Sequence, residues 1–131
     1  MQKESVYDRM TQSEKKVADV LRRLGIRWSF EQPVFVWDEN NRPRVWTPDF
    51  FLLHFGIYLE VCGSEVFDYE YRRDIFHRNG YRVIFVHCYK NEGIWTHHLL
   101  SYLYIFTKER NQKLQKIYRE NTVLLGKIRW F

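Results

Sequence analysis

A chain of 131 residues, 45% hydrophobic and 18% aromatic, has room for one domain with a modest core, which excludes a disordered protein. No apolar run reaches the ~20 residues of a membrane span, and the opening MQKESVYDRM lacks the apolar stretch of a secretory signal, so a cytoplasmic or nucleoid-associated protein is expected. The net charge of +5 sits entirely in residues 99–131, where Lys108, Arg110, Lys113, Lys116, Arg119, Lys127 and Arg129 face only Glu109 and Glu120; this suits a polyanionic partner such as DNA.

In chain order, residues 11–24 read as a helix. Thr11 and Glu14 have capping-box spacing, Val17, Val20, Leu21 and Leu24 form an apolar stripe, and Gly25 is the stop. Residues 28–37 are extended, aromatic and β-branched, and the cluster at residues 38–41 turns them into a hairpin. The return arm is residues 45–53, with a bend or an edge position at Pro48. Residues 57–62 form a strand with Ile57, Leu59 and Val61 on one face and Tyr58, Glu60 and Cys62 on the other. Asp68 caps a second helix that ends near Gly80, and residues 81–87 form a strand buried on both faces. Strand, helix, strand from Gly56 to His87 predicts a right-handed crossover and parallel pairing. A third helix over about residues 95–121, with one break allowed, is apolar first and charged later. The fold class is α/β: one domain over residues 1–131, with a mixed central sheet and flanking helices over residues 11–88 and a basic helical segment over residues 95–131.

Three acids stand where solvation alone does not explain them. Asp49 follows Pro48 in an apolar stretch, Glu60 lies between Leu59 and Val61, and Glu14 shares a helical face with Val17 and Leu21. An unpaired buried carboxylate costs several kcal/mol, and three meeting at one point call for a divalent cation; oxygen ligands suit Mg²⁺. Each acid also has a plain structural role open to it: Glu14 in the capping box, Asp49 in a turn.

The order of a helix with Glu14, a hairpin, Pro48-Asp49 and Glu60-Val61-Cys62 at a strand end, followed by a βαβ return, resembles the PD-(D/E)XK nuclease superfamily. Gly63-Ser64, Tyr71-Arg72-Arg73-Asp74 and residues 80–84 are similar to the small clade related to very-short-patch mismatch-repair endonucleases. The resemblance covers residues 11–87. It implies a restriction-endonuclease-like core in αβββαβ order and a Mg²⁺-dependent DNA endonuclease or nickase, with Mn²⁺ as a substitute. Asp49 and Glu60 would bind the metal with a backbone carbonyl just after the glutamate, assigned to Cys62, and Glu14 would complete the shell.

The family's lysine falls at Cys62, and a thiol supplies no fixed charge. Three alternatives follow. The charge has migrated, with Lys16 or Lys15 nearest in sequence, and Gln32, on the strand face of Trp28 and Phe30, orients the attacking water. Or the metal alone activates water. Or the domain binds nucleic acid, as an assembly subunit, without cutting it.

Arg73 on the second helix and Lys113, Lys116 and Arg119 on the third are the candidate DNA contacts, and Trp37, Trp46 and Tyr71 are candidate stacking surfaces. Arg72 and Arg78 read as a solvated helix face. Paired ligand spacing is absent among Cys62, Cys88 and the histidines, so no zinc is expected. The apolar half of the third helix suits a homodimer.

Overall fold

The structure, a computed structural model, describes residues 5–125; Lys127 and Arg129 of the basic segment lie outside them. A short 3₁₀ turn, Val6–Arg9, precedes helix α1, Gln12–Arg23. The Thr11 hydroxyl accepts from the Glu14 N–H (3.2 Å) and Glu14 Oε1 from the Thr11 N–H (2.8 Å), the expected capping box. Gly25 ends the helix at φ +72°, a conformation that a side chain would strain.

The long hairpin expected over residues 28–53 forms as two shorter pairings. Strand β1, Trp28–Phe30, pairs antiparallel with β4, Phe50–Leu52, in the register Trp28↔Leu52 and Phe30↔Phe50. Strands β2, Val34–Trp37, and β3, Pro43–Trp46, form a separate two-stranded sheet. The break has a local cause on each arm. Glu31 takes φ +58° and Pro33 offers no N–H; opposite them, Pro48 cannot donate either. The Glu31 N–H, donating to the Asp49 carbonyl at 2.9 Å, is the last bond before the arms part. At the β2–β3 turn, the buried Asp38 carboxylate accepts from Asn40 N–H (2.8 Å) and Arg42 N–H (2.9 Å) and pairs with Arg44 (3.1 Å).

Strand β5, Ile57–Cys62, lies between β4, antiparallel, and β6, Val83–His87, parallel, giving a mixed four-stranded sheet in the order β1-β4-β5-β6. Helix α2, Glu70–Arg78, makes the crossover. Its N-cap is Tyr69 rather than Asp68, whose Oδ1 instead accepts from the Glu70 N–H at 2.9 Å. Helix α3, Glu92–Leu125, begins earlier than expected and runs without a break, about 50 Å at 1.5 Å per residue. No helix among the described residues is long and apolar enough to cross a membrane.

The strand alternation divides the core. Phe50, Leu52, Ile57, Leu59, Ile84 and Val86 pack under Val17, Ala18 and Leu21 of α1 and Trp95, Leu99 and Leu103 of α3. Cys62 and Phe85 face the other way, onto Ile75 and Phe76 of α2 and Val34 and Val36 of β2. Glu60 shares that second face, at the end of the sheet where β5 and β6 stop.

Candidate functional site

Glu14 enters from the first turn of α1, Asp49 from the residue before β4, and Glu60 from β5. Glu14 and Glu60 are 9% and 8% exposed, unusual burial for glutamates. Each acid is held by one donor of the chain. Thr11 N–H donates to Glu14 Oε1 (2.8 Å), Val61 N–H to Asp49 Oδ2 (2.7 Å), and Arg72 Nη2 to Glu60 Oε1 (2.7 Å). The other oxygen of each has no N–H donor among the described residues.

The three carboxylates feel one another. Burial pushes the Asp49 carboxyl up to about 7 against the pull of the Val61 N–H; the Glu60 and Glu14 charges push the same way, and Glu14 also accepts from protonated Asp49. Glu60 is raised mainly by burial, with Arg72 opposing and Glu14 adding to the rise. The site therefore holds three acids against one guanidinium, and near neutral pH a proton on Asp49 offsets part of the excess.

A stability signature follows from Asp49. Its carboxyl titrates near 3.8 in the unfolded chain and near 7 in the folded one. The proton is thus bound more tightly by the fold, so stability is complete below about 4, declines as pH rises, and levels off above about 7. Melting of the wild type is expected to drop across that window, whereas Asp49→Asn, with the raised Glu60 still titrating, drops less and melts higher at pH 8. Parallel melting curves for the two proteins from pH 4 to 8 would contradict this.

Arg72, expected on a solvated helix face, instead meets Glu60. It lies over the Trp46 ring (4.6 Å) and against Phe76 (5.2 Å), and its Nε is buried without a partner among the described residues. The signal was present. Arg72 stands three and four residues before Ile75 and Phe76, the buried pair of α2, and so shares their face. It places a fixed positive charge beside Glu60. Lys16, the residue nearest in sequence, is exposed; its charge acts on Cys88 and does not figure among those acting on Asp49 or Glu60.

Two further expectations meet a different geometry. Gln32 is exposed in the link between β1 and β2, after the strand has broken at Glu31, so it does not continue the face of Trp28 and Phe30. The Cys62 carbonyl accepts the Cys88 N–H at 3.0 Å within the parallel ladder. Strand alternation turns the Val61 carbonyl to the same side as its own N–H, toward Asp49. Val61 is therefore the better placed backbone ligand. The Cys62 thiol is fully buried and pushed up to about 12, chiefly by burial, which makes it a packing group.

No family model, curated protein or solved structure matches this chain. Its chemistry is therefore judged from placement. Among the described residues, no three His, Cys, Asp or Glu side chains stand around one point closely enough to hold an ion as they are placed. Each of the three acids is turned to its chain donor. Their character still fits a hard cation: all are oxygen donors, one is forced to keep a proton near neutral pH, and each has a second oxygen to offer.

Of the remaining candidates, Arg73 lies beside the Phe85 ring (5.2 Å), outside the acid cluster. Lys113, Lys116 and Arg119 are exposed on α3, and Lys116 has only a long contact to Glu120 (4.0 Å). Trp37 and Tyr71 are about half exposed, while Trp46 is covered by Arg72 and Tyr71.

Proposed function

We propose that the chain is a metal-dependent DNA endonuclease or nickase with a restriction-endonuclease-like core. The observation that carries it is the gathering of Glu14, Asp49 and Glu60 at the end of β5, where burial first and the Glu60 and Glu14 charges after it raise the Asp49 carboxyl to about 7. Among the described residues only Glu60 of the three has an ion-pair partner, Arg72, which leaves Glu14 and Asp49 without a paired cation.

Asp49 and Glu60 would hold Mg²⁺ or Mn²⁺, with the Val61 carbonyl beside them and Glu14 at the outer side. The chemistry a bound cation supplies is activation of water and neutralisation of charge on the phosphoryl group. Asp49 gives up its proton when the cation binds, so affinity rises through neutral pH. Glu14, fixed by Thr11, orients water on its free oxygen. Arg72 holds Glu60 in place, and its guanidinium charge would offset negative charge developing on phosphate oxygens nearby.

The basic second half of α3 supplies the long-range attraction for DNA. Neutralising Lys113, Lys116 and Arg119 together is expected to flatten the dependence of log K on log salt by about three contacts' worth, some 0.9 each for duplex. An unchanged slope in a fluorescence-anisotropy titration would place those side chains away from DNA. On the apolar first half of the same helix Leu99 and Leu103 are buried in the core, while Leu100, Tyr104 and Ile105 are exposed and support self-association through it, as a homodimer.

A second reading has its own support. The Arg72–Glu60 pair already satisfies one acid, and Cys62 stands in the lysine position, as in a nucleic-acid-binding subunit that no longer cuts. The test is plasmid nicking with Mg²⁺ and Mn²⁺, alongside calorimetry of the metal and matched RNA substrates. Cleavage of DNA supports the nuclease. DNA binding without cleavage, in a protein that takes up no metal, supports the subunit.

A further inference from the structure

Strand β6 is an edge of the four-stranded sheet, and between it, α2 and the first half of α3 lies a cavity of about 650 Å³. Its walls include the aromatic Tyr81, Phe85 and Phe106, together with Arg73 from α2, His87 from the end of β6, Lys90 from the loop and His98 from α3. Neither Arg73 nor Lys90 has a carboxylate within ion-pair distance among the described residues. Asp74 and Glu109 also line the cavity. We propose that Arg73 and Lys90, with His87 and His98 beside them, bind a phosphate group of the nucleic-acid strand in this cavity, next to the phosphodiester proposed to lie at Asp49 and Glu60.

This inference rests on the nucleic-acid substrate proposed above and adds a second contact to it. The need is electrostatic. Three buried acids repel a polyanion, so a strand lying across them requires cations close by. The position meets that need. Glu60 pairs in register with Phe85, and His87 is two residues farther along the same face. Strand spacing of about 4.8 Å and a rise of about 3.3 Å per residue put the two Cα atoms about 8 Å apart, the scale of neighbouring groups on one strand.

The field inside the cavity supports an anion. His87 is lowered first by burial, then by Lys90, His98 and Arg73; His98 is lowered by burial, then by Lys90, Arg73 and His97. Every charged group acting on either ring is cationic. The Tyr89 hydroxyl meets His87 Nδ1 at 3.0 Å and Tyr102 stacks near His98 (4.6 Å), so both rings are positioned. His97, one residue away, lines a different hollow with Val20 and Leu24, which makes it an internal control.

The test uses the full chain without divalent metal. Titrating inorganic phosphate should move the His87 and His98 ring resonances saturably and leave His97 still; Arg73→Gln with Lys90→Gln should remove the effect. The same double variant, with an unchanged melting temperature, should bind duplex DNA about tenfold more weakly at moderate salt and lose between one and two contacts' worth of salt slope. Lys90→Glu, in an exposed loop, is the second variant. Unmoved rings together with an unaltered DNA slope would overturn the phosphate site, even if the wild type cuts DNA. Moved rings and a reduced slope in a protein that never cuts would uphold the phosphate site and remove the nuclease.

Discussion

On the proposed nuclease reading, Asp49→Asn and Glu60→Gln are each expected to lower Mg²⁺-dependent cleavage by about 10³-fold or more, with the fold intact. Each change keeps the volume of the side chain and deletes one negative charge from the set proposed to hold the cation. Asp49→Asn keeps an oxygen to accept the Val61 N–H, which now meets Asp49 Oδ2 at 2.7 Å, so the strand end stays closed. Because burial holds the Asp49 carboxyl near 7, the amide also relieves a folding penalty, and the dead variant should be the more thermostable one at pH 8. Glu60→Gln frees Arg72 and removes its counter-charge, so its loss of activity comes with a modest loss of stability. Glu14→Gln acts from the outer side and should cost about 10 to 100-fold. Plasmid nicking at fixed Mg²⁺ reads all three. Wild-type rates in either of the first two variants would remove the site from the chemistry.

Phe50→Ala is expected to destabilise the chain by about 3–5 kcal/mol, a large share of the 5–15 kcal/mol that holds such a domain together. Phe50 is completely buried, with Trp28 edge-on at 5.2 Å and Phe30 at 5.4 Å. It joins β1 to β4 and immediately follows Asp49, so the cavity opens directly beneath the site. Urea unfolding followed by tryptophan fluorescence measures it. Tyr104→Ala, at a side chain 69% exposed on α3, serves as the control and should stay within about 0.5 kcal/mol. A loss below about 1 kcal/mol at Phe50 would show that this corner of the sheet is not packed as described.

The two effects belong together because the site is built on a broken hairpin. If residues 28–37 ran as one strand against residues 45–53, Asp49 would be one more ladder position. The break at Glu31 and Pro48 instead leaves Asp49 just before β4. Its carboxylate turns to the Val61 N–H and its backbone carbonyl takes the Glu31 N–H. The separated β2–β3 pair then covers the second sheet face and brings Trp46 under Arg72. The turn that frees the Asp49 carboxylate and the ring that positions Arg72, the partner of Glu60, thus arise from a single local interruption.

Much was legible in the residues alone, because it was local. The Thr11–Glu14 capping box, the stop at Gly25, the two-faced alternation of residues 57–62 and the parallel strand after a helix all follow from neighbours within a few positions. So did the oddness of Glu14, Asp49 and Glu60, each polar where its surroundings are not. What only the tertiary structure decided was long in range. Arg72 meets Glu60 across 12 residues, the Cys62 carbonyl is consumed by Cys88, and Arg73, Lys90, His87 and His98 close on one cavity from three elements and the loop between two of them. Periodicity and propensity state which face a side chain takes; they carry no term for which distant face it will meet, and charge pairing is set by that meeting.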